Sequence, residues 1–194
     1  MVHATAASAK TALRLAMRTR RRILAAETPG AAELAAALAM AGGLSAKVAA
    51  GYHPQGGEMD PWPLMRALAA GGARAALPRA ARRDAPLQFH ATDDPTPMTP
   101  DAYGVPAPAA SSAILTPDLV IVPLVAFDAR GARLGQGAGC YDRAIADLRS
   151  RGAVWVLGLA YAGQEVAKVP SEAHDQLLDA VLTEKAYRTA LKDI

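Results

Sequence analysis

Between Asp118 and Asp128 the chain reads Leu-Val-Ile-Val-Pro-Leu-Val-Ala-Phe, a run from Leu119 to Phe127 with no polar side chain. A strand with one wet face alternates apolar and polar residues, so a continuous run belongs in the middle of a parallel sheet covered on both sides. It is too short to cross a membrane, which takes roughly 18 consecutive apolar residues, and no other window comes closer. Val154–Tyr161 has the same character, and shorter candidates lie at Lys47–Tyr52, Arg74–Pro78, Leu87–His90 and Val181–Thr183. Helical patterns alternate with them. Ser8–Ala26 places Leu13, Ala16, Met17 and Leu24 on one side, and Ala31–Ala41 ends at Gly42-Gly43. Asp60 as N-cap with Pro61 at the first helical position opens a helix through Ala70, and Tyr141–Ser150 is another. Ala91–Pro108 holds five prolines, including Pro95, and reads as a long irregular loop. Strands separated by helices predict an α/β fold: one domain over residues 1–194, three layers α/β/α, with a mostly parallel sheet.

The formal net charge of +3 hides an asymmetry. Lys10, Arg14, Arg18, Arg20, Arg21 and Arg22 all precede the first acid, Glu27, and beyond them acids outnumber bases. No aromatic residue accompanies this basic segment, so it lacks the stacking platform of a nucleic-acid surface, and no nucleic-acid or membrane partner is expected. An acid-free, Arg-rich amphipathic start also suits an organellar transit peptide. The single cysteine, Cys140, cannot form an internal disulfide, and a cytoplasmic location fits best.

The segment Arg133-Leu-Gly-Gln-Gly-Ala-Gly-Cys-Tyr-Asp142 joins a buried strand to a helix. Alternating glycines let backbone N–H groups converge on an anion at the helix start, where the dipole adds positive potential. The spacing is neither a Walker A loop nor a dinucleotide fingerprint. A tight strand-to-helix turn explains the glycines equally well. Arg133 and Asp142 beside the loop favour a nucleotide with magnesium, which takes one or two carboxylates plus phosphate oxygens.

The run Pro123-Leu-Val-Ala-Phe-Asp128 followed by Arg133-Leu-Gly-Gln-Gly-Ala-Gly-Cys-Tyr-Asp142 resembles the signature of the 5-formyltetrahydrofolate cyclo-ligases, also called 5,10-methenyltetrahydrofolate synthetases. Further pieces occur in that family's order: Lys10 and Arg14, Glu58-Met-Asp60, Leu77-Pro78, Gly104-Val-Pro-Ala-Pro108, Pro170 to His174-Asp175, Asp179 and Thr183-Glu184. The resemblance covers nearly the whole chain and makes the basic N-terminal helix part of the enzyme.

The resemblance implies ATP- and Mg²⁺-dependent closure of 5-formyltetrahydrofolate to 5,10-methenyltetrahydrofolate by a monomer, with a small-molecule folate as partner. It implies catalytic roles for Arg133, Tyr141 and Asp142. ATP would be bound by Lys10, Arg14, Arg133, Gly135, Gln136, Gly137, Ala138, Gly139, Cys140 and Tyr141. His53, Glu58, Gln136 and Tyr141 would contact the folate, and Asp142 and Asp175 the magnesium. Three departures stand out: Cys140 replaces a usual tyrosine, Ala107 a usual glutamate, and the tryptophan common upstream of that loop is absent. They leave an alternative, a diverged member that binds nucleotide or folate with another substrate or a regulatory role.

Overall fold

Alternation within the short strands decides which side chains face which helical layer. In the computed structural model, which describes residues 6–83, 85–93 and 96–191, the elements in chain order begin with α1 (Ala6–Glu27), α2 (Ala31–Ala41), β1 (Val48–Ala50), α3 (Trp62–Ala70) and β2 (Arg74–Arg79). Next come β3 (Gln88–Ala91), β4 (Thr99–Pro100), β5 (Pro106–Ala107), β6 (Ile114–Leu115), β7 (Leu119–Pro123), β8 (Ala126–Phe127) and β9 (Arg133–Leu134). The chain finishes with α4 (Cys140–Arg151), β10 (Trp155–Leu159), a 3-10 turn at Ala162–Gln164, β11 (Ala180–Leu182) and β12 (Tyr187–Thr189).

The main sheet has eight strands in the order β12-β11-β10-β7-β1-β2-β3-β6. The five from β11 to β2 are parallel, and β12, β3 and β6 add antiparallel edges. Ala49, Leu119, Ile121, Leu157 and Leu182 pack beneath α2 and α3, against Ala35, Ala39, Leu64, Met65 and Leu68. Their alternates Ala50, Val120, Val122, Val156 and Val181 pack against Ala144, Ile145 and Leu148 of α4. The three-layer α/β/α architecture with a mostly parallel sheet is therefore as the sequence predicts. Gly158 in central β10 is needed for packing, because a Cβ there would lie 2.6 Å from Leu178 Cδ1 and 2.8 Å from Leu124 Cδ2. No single helix among the described residues is long and apolar enough to cross a membrane.

In chain order the parallel strands β1, β2, β7, β10 and β11 are arranged 2-1-3-4-5, the doubly wound order whose switch point lies between the first and third strands. Connections leaving the C-terminal ends of β1 and β7 diverge to opposite faces and open a crevice. The chain after β1 becomes the loop to Glu58, and the chain after β7 becomes the β8–β9 hairpin and the glycine loop.

Several features differ from expectation beyond small shifts at element ends. The apolar run does not stay in the sheet to Phe127: β7 ends at Pro123, which has no N–H to donate, and Ala126–Phe127 pair instead with Arg133–Leu134. The third helix begins at Trp62, one residue later than expected; Pro61 already has right-handed helical angles, and Asp60 Oδ1 accepts the Trp62 N–H at 3.0 Å. The Pro-rich stretch is not wholly irregular, because β4 pairs with β5, while Pro95 lies outside the described residues. Val181-Leu182 is not the last strand, since β12 returns antiparallel along β11. On α1, Ala16 is exposed rather than grouped with Leu13 and Met17, which pack on Ala126, Leu134 and Val169.

Candidate active site

The glycine loop owes its position to a buried turn. Asp128 accepts hydrogen bonds from the N–H groups of Arg130 at 3.0 Å, Ala132 at 3.2 Å and Val169 at 2.9 Å, and from Arg130 Nη2 at 2.9 Å. Burial alone would raise its pKa, but these donors outweigh it and hold the carboxyl below the usual range. The β8–β9 hairpin then delivers Arg133 and Leu134 to the crevice. Gly137 (φ 111°) and Gly139 (φ 65°) turn the chain through the left-handed region into α4, whose start has no side-chain cap. The backbone donors of its first turn thus remain for a ligand.

Helix α1 crosses this loop. Three basic residues four apart, Lys10, Arg14 and Arg18, reach toward the protein: Arg14 Nε donates to Gly135 O at 3.0 Å, and Arg18 donates to Gln136 Oε1 at 2.7 and 3.0 Å and to Gln136 O at 3.1 Å. Lys10, only 7% exposed, pairs through Nζ with Asp175 Oδ2 at 2.6 Å and Glu172 Oε2 at 2.7 Å. Burial works against the ammonium, yet the two carboxylates prevail and raise its pKa, and burial of Asp175 is likewise outweighed by Lys10, which lowers that of the acid.

Arg133 is nearly buried. Its Nη2 donates to Asp142 Oδ1 at 2.7 Å and its Nη1 donates to Gln176 O. Burial lowers its pKa, with Asp142 opposing. Asp142 Oδ1 also accepts the Gln176 N–H at 3.0 Å, so both of its described hydrogen bonds fall on one oxygen and Oδ2 remains open to a cation. Gln176 follows Asp175, which brings the two aspartates expected at a metal to one end of the crevice. Glu172, His174 and Asp175 offer ligand atoms within 4.8 Å of one another. An oxygen-rich set of Asp142, Asp175 and Glu172 has the chemistry magnesium takes.

These groups share one cavity of about 430 Å³, a volume suited to a small molecule. Lys10, Arg14, Arg133, the whole segment Gly135–Asp142 and Asp175 line it, as do Glu172 and His174. Pro78, Leu87, Tyr103 and Val105 form an apolar side. Tyr141 is half-buried in the cavity wall, and burial raises its phenol pKa. Cys140 Sγ lies 3.9 Å from Ala138 O and 3.7 Å from Arg143 Nη2. Ala107 is fully buried in the β4–β5 ladder, and nearby Asp101 has its carboxylate taken by the N–H groups of Tyr103, Val105 and Ala80.

Two of the expected substrate contacts lie beside this cavity instead of lining it. Glu58 stands behind the glycine loop, where Oε1 accepts from Gln136 Nε2 and from Arg21 Nη1, each at 3.1 Å. His53 follows Tyr52 at the exit of β1, outside the cavity wall. Sequence reading missed Glu172, Arg18 and Arg21. Glu172 had a weak signal, three residues before Asp175; Arg21 had none, because it lies off the four-residue spacing of Lys10, Arg14 and Arg18.

Residues 6–184 match the model of the 5-formyltetrahydrofolate cyclo-ligase family. A 5-formyltetrahydrofolate cyclo-ligase of Mycolicibacterium smegmatis is 32% identical over 158 residues, 77% of this chain and 79% of that protein. One from Haemophilus influenzae is 37% identical over 91 residues, 45% of this chain and 48% of its own. Among solved structures, the 5,10-methenyltetrahydrofolate synthetase of Aquifex aeolicus superposes with a TM-score of 0.72 at 27% identity, covering 95% of this chain and 94% of that one. With the glycine loop, the basic helix and the paired carboxylates assembled at one switch point, and a family match over nearly its whole length, this chain belongs to the 5-formyltetrahydrofolate cyclo-ligase family.

Proposed function

We propose that the chain closes 5-formyltetrahydrofolate to 5,10-methenyltetrahydrofolate at the expense of ATP, as a cytoplasmic monomer. The observation that carries this reading is the convergence of Lys10, Arg14, the Gly135–Gly139 backbone and the Asp142–Asp175 pair on one cavity. Phosphoryl transfer asks for positioning and neutralisation of charge more than for a protein nucleophile. The terminal phosphoryl group passes from ATP to the formyl oxygen, forming an O–P bond as ADP leaves. N10 then attacks the formyl carbon, the C–O bond breaks, phosphate departs and the N10 proton is released to solvent.

Lys10, Arg14 and the α4 N-terminus bind the phosphates, and Arg133 orients Asp142 through its 2.7 Å hydrogen bond. Glu58 and Gln136 accept and donate hydrogen bonds to the folate ring, and His53 borders that side. Tyr141 donates from its phenol. Asp142 and Asp175 would hold magnesium, which would supply positive charge to neutralise the phosphates.

The test is near-ultraviolet absorbance of the conjugated methenyl product after mixing the protein with 5-formyltetrahydrofolate, ATP and Mg²⁺. A rise that requires all three components, with stoichiometric ADP, is the expected result. Folate or nucleotide binding without ATP consumption would overturn it in favour of a binding role. Sedimentation at working concentration checks the monomer.

A further inference from the structure

The crevice at the switch point is closed on its inner side by a residue that touches none of the expected phosphate groups. Arg21, on α1, is 2% exposed. Its Nη1 donates to Glu58 Oε1 and to Leu124 O, both at 3.1 Å, and its Nη2 to Gly56 O at 3.1 Å and Gln55 O at 3.3 Å. Its Nε has no hydrogen-bond partner among the described residues. One guanidinium thus ties together the loop leaving β1 and the first residue beyond β7, the two connections that diverge to make the crevice.

The loop is shaped around this side chain. Gly56 (φ 56°) and Gly57 (φ 80°) both take left-handed angles, and a Cβ on Gly56 would stand 3.4 Å from Arg21 Nη2. A Cβ on Gly57 would stand 3.3 Å from Arg22 Cα. Glycine at both positions lets the backbone curl onto α1 and aim two carbonyls at the same fork.

The carboxylate at the end of this loop is fixed on three sides. Glu58 Oε1 is shared by Arg21 and Gln136, while among the described residues Oε2 accepts only the Gln55 N–H at 3.0 Å. Oε2 therefore keeps an acceptor direction for an N–H donor of a ligand. Its aim depends on the rigid planar fork of Arg21, which a lysine ammonium does not reproduce.

We infer that Arg21 is a positioning residue for the folate side of the site, setting the Glu58 carboxylate from the buried face of α1. The inference rests on the proposed function, in which Glu58 holds the folate ring. It predicts an effect on folate binding that acts through Glu58 and leaves the nucleotide side alone.

The experiment is a double-substitution cycle on the intact chain with Arg21→Lys, Glu58→Gln and the pair, with each protein's thermal melt recorded. Arg21→Lys is expected to raise the KM for 5-formyltetrahydrofolate about tenfold while the KM for ATP moves less than about twofold, and in the Glu58→Gln background to add almost nothing. Effects of the two substitutions that multiply, or equal rises in both KM values, overturn the proposal and leave Arg21 as scaffold. So does a lowered melting temperature with unchanged KM values. If Arg21→Lys lacks a cooperative melt, Arg21→Gln, a planar neutral donor, is expected to show the same split; failure of both to fold also overturns it. A wild-type protein without turnover rejects the underlying function before any substitution is compared, and the inference with it.

Discussion

In the proposed function two roles compete for the Asp142 carboxylate. It neutralises Arg133, whose side chain is only 4% exposed, and its other oxygen would serve the magnesium. Asp142→Asn keeps the shape and an acceptor, so turnover is expected to fall about 100-fold with a modest loss of stability. Asp142→Ala leaves a buried guanidinium without its anion and should cost about 3 kcal/mol, read as a lowered urea midpoint. Asp128 gives a contrasting case outside the cavity. Its depressed pKa means that its contribution to stability is complete above the ordinary carboxylate value and disappears as pH falls through the lowered folded value. Asp128→Asn should therefore destabilise by about 2 kcal/mol at neutral pH, and the gap from wild type should close under strongly acid conditions in pH-resolved melts.

Within the glycine loop, conformation and contact are separable. A Cβ on Gly135 meets nothing within 4 Å, and its φ needs no glycine, whereas Gly139 has φ 65° and a Cβ there would lie 3.0 Å from Arg143 Nη1. Gly135→Ala is expected to leave the melting temperature unchanged and raise the KM for ATP about tenfold, because the methyl group enters the cavity. Gly139→Ala should lower stability by about 1–2 kcal/mol as well, through left-handed strain. The same contrast explains what was legible in the sequence. Continuous apolar runs and glycine-closed helices identified the parallel core, and the spacing from Pro123 to Asp142 identified the loop. Two-residue ladders such as β4–β5, and the return of β12, are set by pairing partners far along the chain and leave little periodicity to read. Arg21 was illegible because three of its four acceptors are backbone carbonyls, which any sequence carries.

The molecule as a whole should respond to ligand as one cooperative body, since α1, the exit of β7 with the glycine loop, and the loop before β11 all meet at the cavity. Saturating ATP and Mg²⁺ at about 100 times Kd adds about 2.7 kcal/mol and should raise Tm by about 5–10 °C, measured by scanning calorimetry. Lys10→Met is expected to shrink that rise. The pairing of Lys10 with Asp175, 165 residues later, also governs when during biosynthesis the site can exist. Helix α1 leaves the ribosome long before its acceptors: first Glu58, then Leu124 and the glycine loop, and last the carboxylates beyond β10. A nascent chain halted after α4 already holds Asp142 but lacks Glu172 and Asp175, so the proposed site is completed only once the segment beyond β10 has been made.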